Sequence, residues 1–342
     1  MRLASVLLVL CLLTTSVISG TFAKYVTTDA QQDSARVAKW GVVASIDGNL
    51  FGATYDQSEA IISWSENADS VSSAQSAATI VAPGTQNENA LTLSISGKPE
   101  VSTLVTYDAA ENGSGADYAN SDIYLAQGTY GVMVEYTGEK NTETFGNYYI
   151  YNNDKYVKLT EENVTDNTDK TWYELHDEVA FAEDYHPLVW SWTVKVENET
   201  DVTATEKTFA EMEAEVRKTF PAGTDALEFA PNSFINRSIT IGWKWAFGQA
   251  WTDTSSQDEI NATDKKDTIL GNMMAYFVED TDGTAAEKVV ALVDGNYVNV
   301  SYDTVNVKSG SANNKQIVMV DGEEIACLTV AFNARLTVEQ VD

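Results

Sequence analysis

The chain of 342 residues carries 51 acidic against 21 basic side chains, a formal charge of −30, and is 44% hydrophobic. That balance excludes nucleic acid and anionic membrane surfaces as partners, because Lys and Arg are what neutralise phosphates. It leaves a soluble protein long enough for a sizeable core, whose copies meet against mutual repulsion, so that self-association is sensitive to salt.

The amino terminus reads as an export signal over residues 1–23. One positive charge, Arg2, precedes an apolar run from Leu3 to Leu13, and small and polar residues lead to Thr21-Phe22-Ala23, with cleavage expected between Ala23 and Lys24. The run is too short for the ~20 residues of a spanning helix. No later stretch is apolar enough to span, and no anchor or sorting tail is expected at the carboxyl end, so the mature product is expected outside the cell. Of the two cysteines, Cys11 leaves with the signal; Cys327 then stands alone among apolar neighbours, which fits a buried, inert thiol.

Next comes Lys24-Tyr25-Val26-Thr27-Thr28, rich in β-branched and aromatic residues, then a polar stretch Asp29–Asp33, then a core strand from about Ala35. From there period-2 alternation dominates. Ala38, Trp40, Val42, Ala44 and Ile46 share one parity. Leu91, Leu93 and Ile95 alternate with Thr92, Ser94 and Ser96 after a Pro83-Gly84 turn. Val101–Tyr107 reads as a strand, as do the alternating sets Tyr130–Tyr136, Trp190–Val196 and Ile239–Phe247, and Leu328 to Val338 reads as one long final strand.

Strands with one apolar and one polar face, following each other without βαβ spacing, predict an all-β, jelly-roll-like antiparallel β-sandwich. It would occupy residues 35–342, with insertions near 146–178 and 200–230. Within Gly146–Glu178, Tyr148–Tyr151, Lys155–Leu159 and Thr171–Leu175 look like three short strands of a satellite sheet over its own core. Asp294-Gly295 is a hairpin signal. Thr208-Phe209-Ala210-Glu211 is a capping box, with Phe209, Met212, Val216 and Phe220 at helical spacing and Pro221 closing the helix. A second short helix is expected around Ile269–Phe277.

Chemistry is thin along the chain. The two histidines, His176 and His186, form no zinc motif, and acids around them (Asp177, Glu178, Glu183, Asp184) fix no geometry. Asp280-Thr281-Asp282-Gly283 starts like a calcium loop, but its twelfth position is Ala291 rather than Glu. No catalytic residue, cofactor site or metal site is expected.

Gly20-Thr21-Phe22-Ala23, followed by Ala35-Arg36-Val37-Ala38-Lys39-Trp40-Gly41-Val42, resembles the amino terminus of the TasA/camelysin family, secreted proteins of Gram-positive bacteria. Val81-Ala82-Pro83-Gly84, Ile241-Gly242-Trp243-Lys244-Trp245, Asp267-Thr268-Ile269-Leu270-Gly271 and the Thr337–Asp342 end are similar to that family too. The resemblance covers both ends of the chain rather than the middle. It implies a jelly-roll subunit of extracellular biofilm-matrix fibres at the cell surface. Its freed arm, residues 24–34 with Lys24, Tyr25, Val26, Thr27 and Thr28 as the pairing strand, would add to the sheet of the next copy. Partners would be further copies of itself, with other matrix proteins as candidates for co-assembly. The resemblance also carries a metallopeptidase alternative, for which the zinc ligands are lacking. A third alternative is a surface adhesin that stacks glycans on the aromatic residues of Tyr148–Tyr156 and Trp172-Tyr173.

Overall fold

A computed structural model describes residues 41–51, 54–57, 70–72, 81–108, 120–221, 225–247, 256–279, 287–305 and 315–341. Every strand pairing among them is antiparallel, and the protein is all-β and sandwich-like.

The largest sheet has seven strands and is built on Thr85–Gly97. One side of this strand pairs with Ile235–Trp245, which leads on to Leu188–Lys195 and Val202–Lys207. Its other side is shared end to end: Thr54–Gln57 takes Thr85 and Gln86, and Val42–Gly48 takes Leu91 to Gly97. Alternation sends Leu93, Ile95, Ile239, Ile241, Trp190 and Trp243 inward, all at most 1% exposed. Hydroxyl side chains go outward in register: Thr92, Thr240, Thr193 and Thr203 form one row across four strands. Within that row Thr92 and Thr240 are hydrogen-bonded at 3.0 Å, and Thr193 and Thr203 at 3.2 Å. Such cross-strand pairs hold register where no core is available to do so.

Two helices pack on this core, the first on the inner face of the large sheet and the second against Gly128–Glu135, Trp172–Phe181 and Glu287–Val293. Helix α1, Phe209–Thr219, starts at the expected capping box, the Thr208 hydroxyl accepting from Glu211 N–H and the Glu211 carboxylate accepting from Thr208 N–H. Its Phe209, Met212 and Val216 are buried. Helix α2 runs over Gln257–Glu279, starting twelve residues before the expected Ile269. Its first half shows no apolar period, and its start is set by a second capping box. Ser256 N–H donates to Glu259 at 2.6 Å, and the Ser256 hydroxyl accepts from Glu259 N–H at 3.3 Å. Ser256-Gln257-Asp258-Glu259 carries that signal in plain sequence.

Two smaller sheets share this core. Leu227–Phe229, Thr103–Asp108 and Arg335–Gln340 form one, and Ser301–Val305, Lys315–Val320, Glu323–Cys327 and Tyr124-Leu125 the other. The long final strand expected from Leu328 to Val338 is strand only from Arg335, in the first of these sheets; the second sheet's last strand ends at Cys327, before the expected start. The chain crosses between them over Leu328–Ala334, tied midway by an Ala331–Ser121 bridge.

The Gly146–Glu178 stretch has a small core of its own, Ile150, Leu159, Val164 and Trp172, but its strands are not a separate sheet. Tyr148–Asn152, Lys155–Lys158 and Trp172–Phe181 close a six-stranded barrel with Gly128–Glu135, Glu287–Val293 and Asn296–Asn299. One face of the barrel wall contributes Met133, Tyr156, Val290 and Tyr297 to a cluster of their own. The opposite parity, with Tyr130, Val132, Val179 and Val289, joins the main core. Three hairpins turn through residue pairs that are both at positive φ, Asn153-Asp154, Asp294-Gly295 and Asp321-Gly322, the geometry that matches strand twist.

Leu93→Ala is expected to cost about 2–5 kcal/mol in urea unfolding, and Ser94→Ala on the outer face to stay within about 0.5 kcal/mol. Equal costs would mean that the two faces are not divided in this way.

Candidate functional site

Ala23, Lys24, Tyr25, Val26, Thr27 and Thr28, the residues marked by sequence for cleavage and pairing, lie outside the described residues. What is described is the place where the chain arrives from them. Gly41 leads into the Val42–Gly48 strand, which pairs with Thr85–Gly97 in unbroken register from Val42 opposite Gly97 to Gly48 opposite Leu91.

Glycines clamp both ends of this strand. Gly41 (φ +67°) and Gly97 (φ +143°) face each other so closely that a Cβ on Gly97 would collide with the Gly41 carbonyl, and one on Gly41 with the Lys98 carbonyl. Lys98 N–H donates to the Gly41 carbonyl at 2.8 Å. At the far end Gly48 (φ +92°) is held against the Ala90 carbonyl in the same way. Only glycine adopts such φ values freely and leaves room for this approach.

Among the described residues, no strand pairs with the far side of Val42–Gly48. Natural sheets guard such edges with Lys, Pro, bulges or a cover. Val42–Gly48 has no Lys, Arg or Pro, and leaves Val43 64% and Ile46 42% exposed. The opposite edge of the sheet, Val202–Lys207, is built differently. Its pairing is broken by a bulge opposite Trp190 and Trp192, Glu206 sits at φ +56°, and ion pairs (Lys195–Asp201 at 3.5 Å, Lys207–Glu211 at 3.3 Å) flank it. Among the described residues, one edge carries a bulge and flanking ion pairs and the other carries neither. Alternation along Val42–Gly48 marks the strand, but pairing on one side only is a property of topology that no local pattern carries.

The histidines take separate partners. His176 meets Glu174 at 3.3 Å, and His186 Nδ1 meets Asp122 Oδ2 at 2.8 Å across 64 positions of sequence. The Asp122 hydrogen bond holds the His186 pKa above its ordinary value, while burial pushes the Asp122 carboxyl up in spite of the imidazole. Asp184, grouped with His186 by sequence, instead accepts from Gln127 N–H at 2.9 Å. Among the described residues no three His, Cys, Asp or Glu side chains are grouped to hold a metal ion. Cys327 is fully buried, and burial pushes its thiol up to about 11, far from a reactive thiolate.

The aromatic stretch is mostly structural. Trp172 is fully buried with its indole N–H donating to the Asn167 carbonyl at 3.0 Å, and Tyr156 is 3% exposed. Tyr148 packs on Trp172 at 5.3 Å and Tyr151 on Tyr156 at 4.9 Å, leaving Tyr151, at 40% exposure, as the ring most open to solvent in this group.

No family model, curated protein or solved structure matches this chain. The likeness to the TasA/camelysin family accordingly stands on the motifs quoted above. Among the described residues no helix is long and apolar enough to cross a membrane.

Gly97→Ala is expected to release the edge strand without unfolding the sheet. Hydrogen exchange at the Val42–Gly48 amides should accelerate while the Ile239 and Ile241 amides keep their protection; unchanged exchange at the edge would refute the glycine clamp.

Proposed function

We propose that this protein is a secreted structural subunit of an extracellular fibre or biofilm matrix, assembling by β-strand addition through its amino-terminal arm. The observation that carries the proposal is the open edge of Val42–Gly48: seven residues in straight register, free of Lys, Arg and Pro, with exposed Val43 and Ile46. An added strand would satisfy its outward N–H and C=O groups and cover those two side chains. In sequence the edge lies just downstream of the export signal and the β-competent Lys24–Thr28 segment, so arm and edge belong to one stretch of chain.

Charge sets the conditions for assembly. At −30 per chain, copies repel at low ionic strength, and salt that shortens the Debye length to about 10 Å near 0.1 M weakens that barrier. Fibre growth should therefore be faster at moderate salt. A role without catalysis is favoured by the separation of the two histidines into different pairs and by the burial of Cys327. Enclosure of Trp172 and Tyr156 in the barrel walls speaks against an adhesin that stacks glycans on them.

Three proteins tested side by side by negative-stain electron microscopy decide the matter: the chain from Lys24, the chain from Ala35, and the chain from Lys24 with Ile46→Lys. Filaments are expected from the first and not from the second. The third should form few or none, because a lysine on the open edge opposes pairing. Equal filaments from the chain lacking residues 24–34 would overturn the arm, and equal filaments from Ile46→Lys would overturn the edge.

A further inference from the structure

Among the described residues one carboxyl group is buried in the core. Asp267, in the middle of α2, is 2% exposed. Its Oδ1 accepts two hydrogen bonds from two different layers, from the Tyr185 hydroxyl at 2.7 Å and from the Trp245 indole N–H at 2.9 Å. Its Oδ2 is buried with no hydrogen-bond partner. Only one of its two oxygens is needed to satisfy these buried donors; the other is a buried polar atom without a partner, which is costly.

The two donors come from the elements that α2 joins. Trp245 ends the central Ile235–Trp245 strand. Tyr185 belongs to the short strap between the barrel strand Trp172–Phe181 and the sheet strand Leu188–Lys195. The strap is itself held at Asp184, Tyr185 and His186. Asp184 accepts from Gln127 N–H, Tyr185 exchanges backbone hydrogen bonds with Leu125 at 2.9 and 2.7 Å, and His186 is paired with Asp122. Barrel, large sheet and helix therefore meet at one carboxyl group.

We infer that Asp267 is the proton-binding group of a latch that holds α2 against the barrel and the large sheet when protonated and loosens the helix when ionised. With Oδ1 already accepting twice, the proton belongs on Oδ2, where it removes the charge from a site that water does not reach. Ionised, the group is a buried anion with two neutral donors on one oxygen and none on the other.

The charged and titratable groups around it offset only part of the burial. Asp264, one turn earlier on α2, adds like charge. Lys266, the residue just before it, favours the charged form only weakly, because its ammonium lies over the Phe181 and Tyr185 rings, 5.1 Å from each centroid, rather than on the carboxylate. From the strap, Tyr185 stays neutral because burial drives its pKa well above the ordinary value. The barrel strands against α2 contribute Phe181, Val132 and Val289 to this core, and Tyr130, stacked on Phe181 at 5.4 Å, is pushed up to about 12 by burial. Trp245 brings no charge. Burial consequently outweighs both hydrogen bonds and pushes the Asp267 carboxyl up to about 7.

The direction of the pH effect follows. In the unfolded chain this carboxyl titrates near 3.8, so between that pH and about 7 the folded state binds the extra proton. Stability from this group is full below pH 3.8, is lost as pH rises through that window, and is flat above it. Asp267→Asn imitates the protonated form at every pH.

The test compares the full-length protein with Asp267→Asn at pH 5 and pH 8, by thermal unfolding and by hydrogen exchange corrected for intrinsic rates. At pH 8 the Asn variant should melt higher than the wild type, and the gap should shrink markedly at pH 5. Amides of α2 in the wild type should exchange about tenfold or more faster at pH 8 than at pH 5, and those of the variant should not. A variant that loses equally at both pH values, or that keeps the wild-type pH slope, overturns the latch. If Asp267→Asn does not fold, Tyr185→Phe decides. Removing one donor to the anion should move the wild-type transition to higher pH, and an unmoved transition overturns the proposal.

Discussion

The structure depends first on the pairing of Thr85–Gly97 with Ile235–Trp245. These strands lie 138 or more positions apart in sequence, and their register, Ile235 opposite Gly97 through Ile241 opposite Leu91, aligns Leu93 and Ile95 with Ile239 and Ile241 on one face. All four of those latter side chains are fully excluded from solvent. A slip of one residue would turn them to water and bring Ser94 and Thr240 into the core. Residues of the barrel, both helices and the smaller sheets join the one core that this face anchors, and the edge strand pairs with the other side of Thr85–Gly97. With contacts this distant, the sheet closes late and at high entropic cost, so burial of one continuous apolar face has to offset it.

Much of this was legible because period 2 is a local signal. The inward parity of Leu91–Ile95, Trp190–Val194 and Ile239–Trp245 could be read residue by residue, and so could the capping box at Thr208 and the turn at Asp294-Gly295. Asp321-Gly322 and Ser256–Glu259 carried equally direct signals that the same rules would have found. The closed barrel was not legible. Tyr148–Tyr151 and Lys155–Leu159 look like a self-sufficient hairpin, and nothing in their composition tells that Lys155–Lys158 meets Asn296–Asn299 through the Tyr156–Tyr297 pair. The alternation from Leu328 to Val338 misled for a related reason: periodicity reports which way side chains point, and it persists where the chain leaves one sheet for another.

The candidate site divides along the same line. The proposed export signal and arm rest on sequence, on composition and spacing over residues outside the described ones. The open edge belongs to topology, and so does the His186–Asp122 pair, whose members are 64 residues apart. No window of sequence distinguishes Asp267 from its exposed acidic neighbours; its burial comes from Tyr185 and Trp245, which arrive from other layers.

Two charged groups reach from one layer of this core to another, Arg237 and Asp267. Arg237 occupies an inward position of the central sheet and reaches α1, where its Nη1 donates to the Thr219 carbonyl at 3.2 Å in the last turn. A cation at a helix carboxyl end meets the negative pole of the dipole, and Glu197 at 3.5 Å balances the charge. Its Nε and one Glu197 oxygen still lack partners, so the pair is a weak source of stability. What such groups supply is position, because a guanidinium or carboxyl with fixed donors and acceptors tolerates one docking angle where apolar surfaces tolerate several. Arg237 fixes α1 on the sheet without changing charge. Asp267 fixes α2 in the same manner with a group that can titrate, and that difference makes one helix a permanent part of the scaffold and the other a part whose hold depends on pH.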